Sequence, residues 1–254
     1  MRILTNAITL LSVKNASTKL TSFAAAVKGA KRNLLLQAAR DEFIERGLEG
    51  ATMRGIALKA GCTTGAIYPV FESKEVIYAA LLSQSLQRLD DCVARAVGGS
   101  DEPASQVRAA CRAFTLYYLE HSFEVNLGLY AFRGLKRQGV GKDSDRSLNN
   151  ALRDVLERIA IPLATTRHTT VVQARAWVAL LFSQMIGGLV LQLAGRLDVF
   201  ATDAQALVDL MLEQAFLPTI LPTASRPIEA AKPTRRNLQS KPGKSTATPR
   251  RNRS

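Results

Sequence analysis

The side chains with the most obvious reactivity are two histidines, His121 and His168, and three cysteines, Cys62, Cys92 and Cys111. Their spacing organises no chemistry. There is no CxxC pair and no histidine within reach of one, so neither a zinc site nor a disulfide framework is expected. Neither histidine falls into a pattern with a nucleophile and a carboxylate. Gly134, Gly139 and Gly141-Lys142 miss the GxxxxGK spacing of a phosphate loop, and no strand pattern precedes them. Cys62, at a turn, reads as a small buried side chain. No catalytic residue, metal or cofactor is expected.

A different chemistry is present in the stretch from Thr52 to Lys74. Thr52, Arg54, Thr63, Thr64, Tyr68 and Lys74 are hydrogen-bond or charge donors of the kind that bind phosphate oxygens and base edges. They are interleaved with Ile56, Ala57 and Ala60 at helical spacing, and Ile67 and Phe71 continue the apolar side. Gly61 stands between the two short segments, where the backbone must turn with positive φ at little steric cost. That arrangement is a helix-turn-helix, which places a short helix in the major groove of DNA. Arg54, Tyr68 and Lys74 are the phosphate candidates. Thr52 and Thr63 could share that role or cap the helices they precede.

From Lys31 to about Ile77 the sequence resembles the tetracycline-repressor (TetR) family of one-component transcription regulators. The resemblance is carried by Leu35-Leu36, Ala38-Ala39, Phe43, Gly47, Thr52-Met53-Arg54, Ile56-Ala57, Ala60-Gly61, Gly65-Ala66-Ile67-Tyr68, Phe71 and Ser73-Lys74-Glu75. Two positions depart from it: Val70 replaces a histidine common before the phenylalanine, and Cys62 stands where valine is usual. By family position, Thr64, Ala66 and Pro69 are the base-edge candidates. Gly65 lets the backbone approach, and Ala66 is small enough to meet a thymine methyl.

The elements that position these residues are all helical. A first helix is expected from about Lys31 to Arg46, with Leu35, Ala39 and Phe43 on one face and Gly47 ending it. Thr52 and Thr63 should cap the second and third helices, and Ser73 a fourth that runs to about Val97, with Glu75 near its positive end. Further helices are expected near 103–120, 124–138, 146–160, 169–196 and 202–217, bounded by Pro103, Gly139-Val140-Gly141, Pro162 and Asp198. No segment shows sustained alternation of two. The fold class is therefore all-α, an amino-terminal three-helix helix-turn-helix domain followed by a helical ligand-binding and dimerisation domain.

Charge is distributed unevenly. The formal charge is +13 over 254 residues. Residues 1–40 hold seven basic and no acidic side chains and residues 221–254 nine basic and one acidic, so the tails carry +15 and the middle −2. The basic tails imply loose attraction to polyanions, separate from the helix-turn-helix pattern. The sequence divides into a disordered extension (1–28), a DNA-binding domain (29–75), a ligand-binding and dimerisation domain (76–220) and a disordered basic tail rich in Pro, Lys, Arg, Ser and Thr (221–254). Arg175 and Arg196 flank the longest apolar stretch and Gln184 and Gln192 interrupt it, so no membrane partner is expected. A bacterial, cytoplasmic, nucleoid-associated setting fits these features.

The segment Thr169 to Gly195 is apolar around much of its circumference and must be covered on more than one side. The resemblance implies that the last two helices pair with their own copy, through Leu181, Met185, Gly188, Leu189, Gln192, Leu207, Leu210 and Met211. It also implies a small-molecule effector cavity among the middle helices, for which Phe114, Tyr117, Tyr118, His121, Asn126, Tyr130, Arg133 and Trp177 are the candidates. The expected function is a homodimeric, ligand-responsive repressor bound to a palindromic operator in double-stranded DNA. The rivals are a helical enzyme retaining the fold and a non-specific nucleic-acid-binding protein using its basic tails.

Overall fold

The computed structural model describes residues 2–130 and 141–216, with side chains from Phe23 onward except that of Tyr130. Eight α-helices make up these residues: α1 (Arg2–Gly50), α2 (Met53–Lys59), α3 (Lys74–Val97), α4 (Pro103–Glu120), α5 (Ser122–Tyr130), α6 (Lys142–Thr166), α7 (Val171–Leu193) and α8 (Ala204–Phe216). Short 3₁₀ turns cover Thr64–Ala66 and Leu197–Phe200. No strand occurs among the described residues.

Residues 2–28, expected as a disordered extension, form part of α1. Helix α1 runs without a break from Arg2 to Arg46: the first glycine is Gly29 and the first proline Pro69. Residues 23–34 are all exposed. Gly47, at φ 65° and ψ 167°, bends the chain where the first helix was expected to end, and one further turn leads to Gly50.

Around the first domain core, Leu35, Ala39 and Phe43 of α1 meet Ile56 and Ala57 of α2, and Ile67 and Phe71 close it. Helix α3 leaves this domain and enters the second, where it packs on α4 and α6; α4 also meets α8, and α7 lies between α6 and α8. Ion pairs tie the bundle across its layers. Arg158 on α6 grips Asp90 on α3 with two hydrogen bonds of 2.5 and 2.7 Å, Arg112 on α4 meets Asp209 on α8 at 2.6 Å, and Arg175 on α7 meets Glu157 on α6 at 2.6 Å.

Helix α6 is longer than the sequence implied. Pro162, expected to bound it, lies within it. The Thr166 hydroxyl donates to the Pro162 carbonyl at 2.9 Å, and the helix continues for one turn beyond the proline. Helix α5 covers the first part of the expected 124–138 helix; residues 131–140 and the 221–254 tail lie outside the described residues. Thr170 opens α7 with a reciprocal capping box to Gln173. Helix α7 is 23 residues long, and an 18-residue window of it reaches a mean hydropathy of 1.7, so by length and composition alone it could cross a membrane despite Gln184 and Gln192. Its Ala174, Val178, Leu181, Met185 and Leu189 are nonetheless buried in the bundle.

Candidate nucleic-acid interface

The helix-turn-helix is assembled by its caps and its corner. The Thr52 hydroxyl accepts from the Gly55 amide at 2.9 Å, satisfying one of the amides that the start of α2 leaves unpaired. At the other end Gly61 takes φ 66°, and the Cys62 amide turns back to the Ala57 carbonyl at 3.0 Å. The chain then reverses into Thr64–Ala66. Thr63, expected to cap a third helix, makes no side-chain cap bond, and the segment is a 3₁₀ turn followed by turns through Val70. The Phe71 amide reaches the Ile67 carbonyl at 3.0 Å.

Burial sorts the candidates. Ile67 and Phe71 are sealed in the core, at 0% and 1% exposure, so the turn can present only its other side. That side carries Thr63, Gly65, Tyr68 and Pro69 exposed, with Thr64 and Ala66 half-buried between them. Tyr68 is 52% exposed with its ring outward. A Cβ on Gly65 would touch nothing within 4 Å, so this stretch of backbone is open to a close-approaching partner. Thr52 and Arg54 are exposed at the adjoining start of α2, and the Arg54 guanidinium has no protein hydrogen bond or ion pair among the described residues. Thr52, Arg54, Thr63, Thr64, Gly65, Ala66, Tyr68 and Pro69 thus all reach the surface, fully or in part.

Lys74 is not part of it. Its ammonium donates to the carbonyls of Leu48, Glu49 and Ala51 at 3.0, 3.1 and 3.3 Å, which uses all three of its protons. It caps the carbonyls left open at the end of α1 and lashes that end to the start of α3. The phosphate role expected for Lys74 is therefore replaced by a structural one. Ser73 caps α3 as expected, accepting from the Val76 amide at 3.4 Å.

A second cluster holds α2 against α1. Glu42, on the otherwise apolar face of α1, is 1% exposed, and its carboxylate lies over Gly55: a Cβ there would be 2.0 Å from Oε1. Arg46 Nε stands 3.5 Å and Lys59 Nζ 3.9 Å from this carboxylate, while Lys59 also bonds Glu45. That hydrogen bond holds the Glu45 carboxyl below its usual range. The signal in the sequence was available, since Glu42 occupies the apolar repeat three residues after Ala39.

Of the effector-cavity candidates, Phe114, Tyr117 and Tyr118 are buried core: Phe114 meets Tyr118 and Phe182 edge-on at 5.1 and 5.9 Å. Burial pushes the Tyr117 phenol up to about 12. Its hydroxyl donates to Glu124 at 2.5 Å, and Arg88 donates to the other carboxylate oxygen at 2.5 Å. Burial disfavours the Glu124 anion, but the hydrogen bonds from Tyr117 and Arg88 outweigh it and hold the carboxyl below its ordinary range. Trp177 lies under the Arg167 guanidinium, 3.9 Å from its ring centre. Arg133 and the Tyr130 side chain lie outside the described residues. His121 and Asn126 border a cleft of about 900 Å³ between the end of α1 and helix α5, floored by Phe43, Tyr78 and Leu127.

The interface candidates divide similarly. Leu181, Met185, Gly188, Leu189 and Met211 face the protein's own core, with Met185 and Leu189 at 0% exposure. Leu210 is exposed and Gln192 and Leu207 are half-buried; Gln192 accepts from the Ala204 amide at 3.0 Å and so fixes the start of α8. The outward stripe of α7 is Leu180, Gln184, Gly187 and Leu191, one register over from the expected one.

Residues 35–81 match the family model described as bacterial regulatory proteins, tetR family. Over these residues the chain is similar to that family. Sequence relatives match part of the chain. Over 91 residues the chain is 34% identical to the transcriptional activator FasR of Mycolicibacterium smegmatis, covering 36% of this chain and 41% of that one. Over 64 residues it is 38% identical to the transcriptional repressor AcnR of Corynebacterium diphtheriae, covering 25% and 34%. The matched stretches thus span less than half the length of these relatives. The fold as a whole is similar to the crystal structure of the transcriptional regulator FadR from Bacillus subtilis in complex with stearoyl-CoA, with a TM-score of 0.58, 16% identity, and coverage of 72% of this chain and 96% of that one.

Proposed function

We propose that this protein is a homodimeric transcription regulator that binds a palindromic operator and releases it on binding a small molecule, with repression as the sign. The observation that carries the DNA-binding reading is the exposed surface formed by Arg54, Thr64, Ala66, Tyr68 and Pro69 over a sealed core. Thr64, Ala66 and Pro69 would meet base edges, and Arg54, Tyr68 and Thr52 the flanking phosphates. A single such turn buries too little surface for specificity, so a twofold partner is required to place a second one about one DNA turn away.

The partner is supported by the second apolar face of α7 and α8. Leu180, Leu191 and Leu210 are 49%, 42% and 52% exposed, and Gln184, Gly187 and Gln214 lie with Leu191 and Leu210 along one groove. Pairing with its own copy covers that face with an identical one, as a twofold requires. For the effector, the cleft between α1 and α5 abuts both domains. A ligand there could shift the population of DNA-binding dimers only by binding one arrangement of α1 and α5 more tightly than another. Its Phe43, Ile44 and Leu129 with Arg40 and His121 suit an apolar molecule bearing a polar head, in keeping with the stearoyl-CoA named for the FadR complex.

The test is selection of DNA from a random pool by the purified full chain, followed by mobility shift with the enriched sequence against a scrambled duplex. A twofold-symmetric enriched site, bound far more tightly than its scramble, is expected. Equal binding to both points to a non-specific nucleic-acid-binding protein.

A further inference from the structure

The basic extension of α1 has a face, and that face adjoins the recognition turn. Lys28, Arg32, Leu35, Ala39 and Phe43 follow one another at three- and four-residue spacing, so Lys28 lies on the side of α1 that, farther along, enters the first domain core. Arg32 marks where the core ends. Its guanidinium sits over the Phe71 ring, 4.6 Å from the centre, and Phe71 follows Tyr68 and Pro69 by three and two residues. Lys28 is one turn beyond Arg32, about 6 Å farther along the axis. Lys31 flanks the pair, and all three are exposed. Glu72 adjoins Phe71, leaving an excess of cations, and the chain contains no acidic residue before Asp41.

We propose that Lys28, Lys31 and Arg32 form a phosphate-binding rail that extends the DNA contact outward from the far end of the recognition turn. It rests on the DNA-binding reading above. A duplex seated on Tyr68 and Pro69 would continue past Phe71, and the charge it presents there is phosphate, which an acid-free helix face complements. Arg32 serves as the fixed post, because stacking on Phe71 ties the direction of the helix to the position of the turn. Lys28 and Lys31 are flexible point charges that can follow the backbone without reading bases. The rail would raise affinity for every sequence alike and lengthen the footprint.

The test uses the full chain with Lys28→Gln and Lys31→Gln together, leaving Arg32 in place, and the charge-preserving Lys28→Arg, Lys31→Arg pair as a control. Affinity for the selected palindrome and for a scrambled duplex is measured across roughly 50 to 200 mM salt. The glutamine pair should lower the log–log slope by about 1.8 per subunit, weaken both duplexes by about tenfold or more near the low end, and leave their ratio unchanged. The arginine pair should keep the wild-type slope. Independently of any variant, hydroxyl-radical footprinting of the wild-type protein should show protected sugars outside each half-site.

Unchanged slope and affinity in the glutamine pair, with Tyr68→Ala still impaired, overturns the rail and leaves the DNA-binding reading standing. A reduced palindrome-to-scramble ratio overturns it too, since the lysines would then read bases. If the glutamine pair loses binding to vesicles containing phosphatidylserine while its DNA slope is unaltered, the face serves a membrane surface instead. A wild-type protein with no preferred DNA fails both readings together.

Discussion

Replacing Gly55 with alanine should destabilise the first domain, against the usual rule. Alanine in place of glycine inside a helix stabilises by about 0.5–1 kcal/mol, and by less near its start. At Gly55 the added Cβ would fall 2.0 Å from Glu42 Oε1 and 2.5 Å from Cδ, so the carboxylate must move. That side chain is 2% exposed and flanked by Arg46 and Lys59. Breaking a fully buried ion pair costs about 3–5 kcal/mol. The side chains of Arg46 and Lys59 are 58% and 28% exposed and both retain Glu45, which reduces the loss to about 1–3 kcal/mol. Net of the helix gain, Gly55→Ala should lower stability by about 1–2 kcal/mol. In a Glu42→Ala background the obstacle is gone and the same change should stabilise by a few tenths. Urea unfolding followed by helical circular dichroism gives the four corners of the cycle, with a coupling of about 2 kcal/mol expected. Equal effects of Gly55→Ala in both backgrounds would refute the packing of Glu42 over this glycine.

Three other substitutions probe the remaining parts. Lys74→Ala should lower stability by about 1–2 kcal/mol through the freed carbonyls at the end of α1, while the salt slope of DNA binding stays at the wild-type value; a lower slope would return Lys74 to the interface. Leu191→Arg should yield a folded monomer, because two like charges would face each other across the twofold; light scattering that still reports a dimer of wild-type stability removes this stripe from the interface. Glu124→Gln should flatten the acid limb of stability. The folded carboxyl titrates below the ordinary 4.5, so its contribution is present above that pH and lost as pH falls through the folded value. Urea midpoints at neutral pH and near pH 4 should therefore differ less in the variant than in the wild type.

The first domain was legible because its devices are local. Gly61 at positive φ, the Thr52 and Ser73 caps and the apolar repeat through Ile56, Ile67 and Phe71 each act within a few residues, and the chain adopts them as expected. What the sequence did not give depends on partners distant along the chain. Lys74 reaches carbonyls 23 to 26 residues earlier, which no short pattern encodes. The outward stripe of α7 was missed for a related reason: a helix apolar on several sides does not announce which side its neighbours take, and contact with α6 and α8 decides it. Phe114, Tyr117 and Tyr118 were ambiguous between core and cavity lining, and packing against Phe182 and Glu124 makes them core. Helix α1 exceeded its expected start because composition that fails to build a core can still satisfy its backbone as a helix.

The most direct measurement is titration of the selected palindrome and its scramble with wild-type protein and with Tyr68→Ala, at one fixed salt concentration. The wild type should prefer the palindrome by a factor of about 10³ or more, with half-site centres about one DNA turn apart. Tyr68→Ala, at a residue 52% exposed, should weaken that binding at little cost in folding stability. A wild-type protein that binds the two duplexes equally, or a Tyr68→Ala protein that binds as tightly as wild type, would contradict the assignment of this surface to DNA recognition.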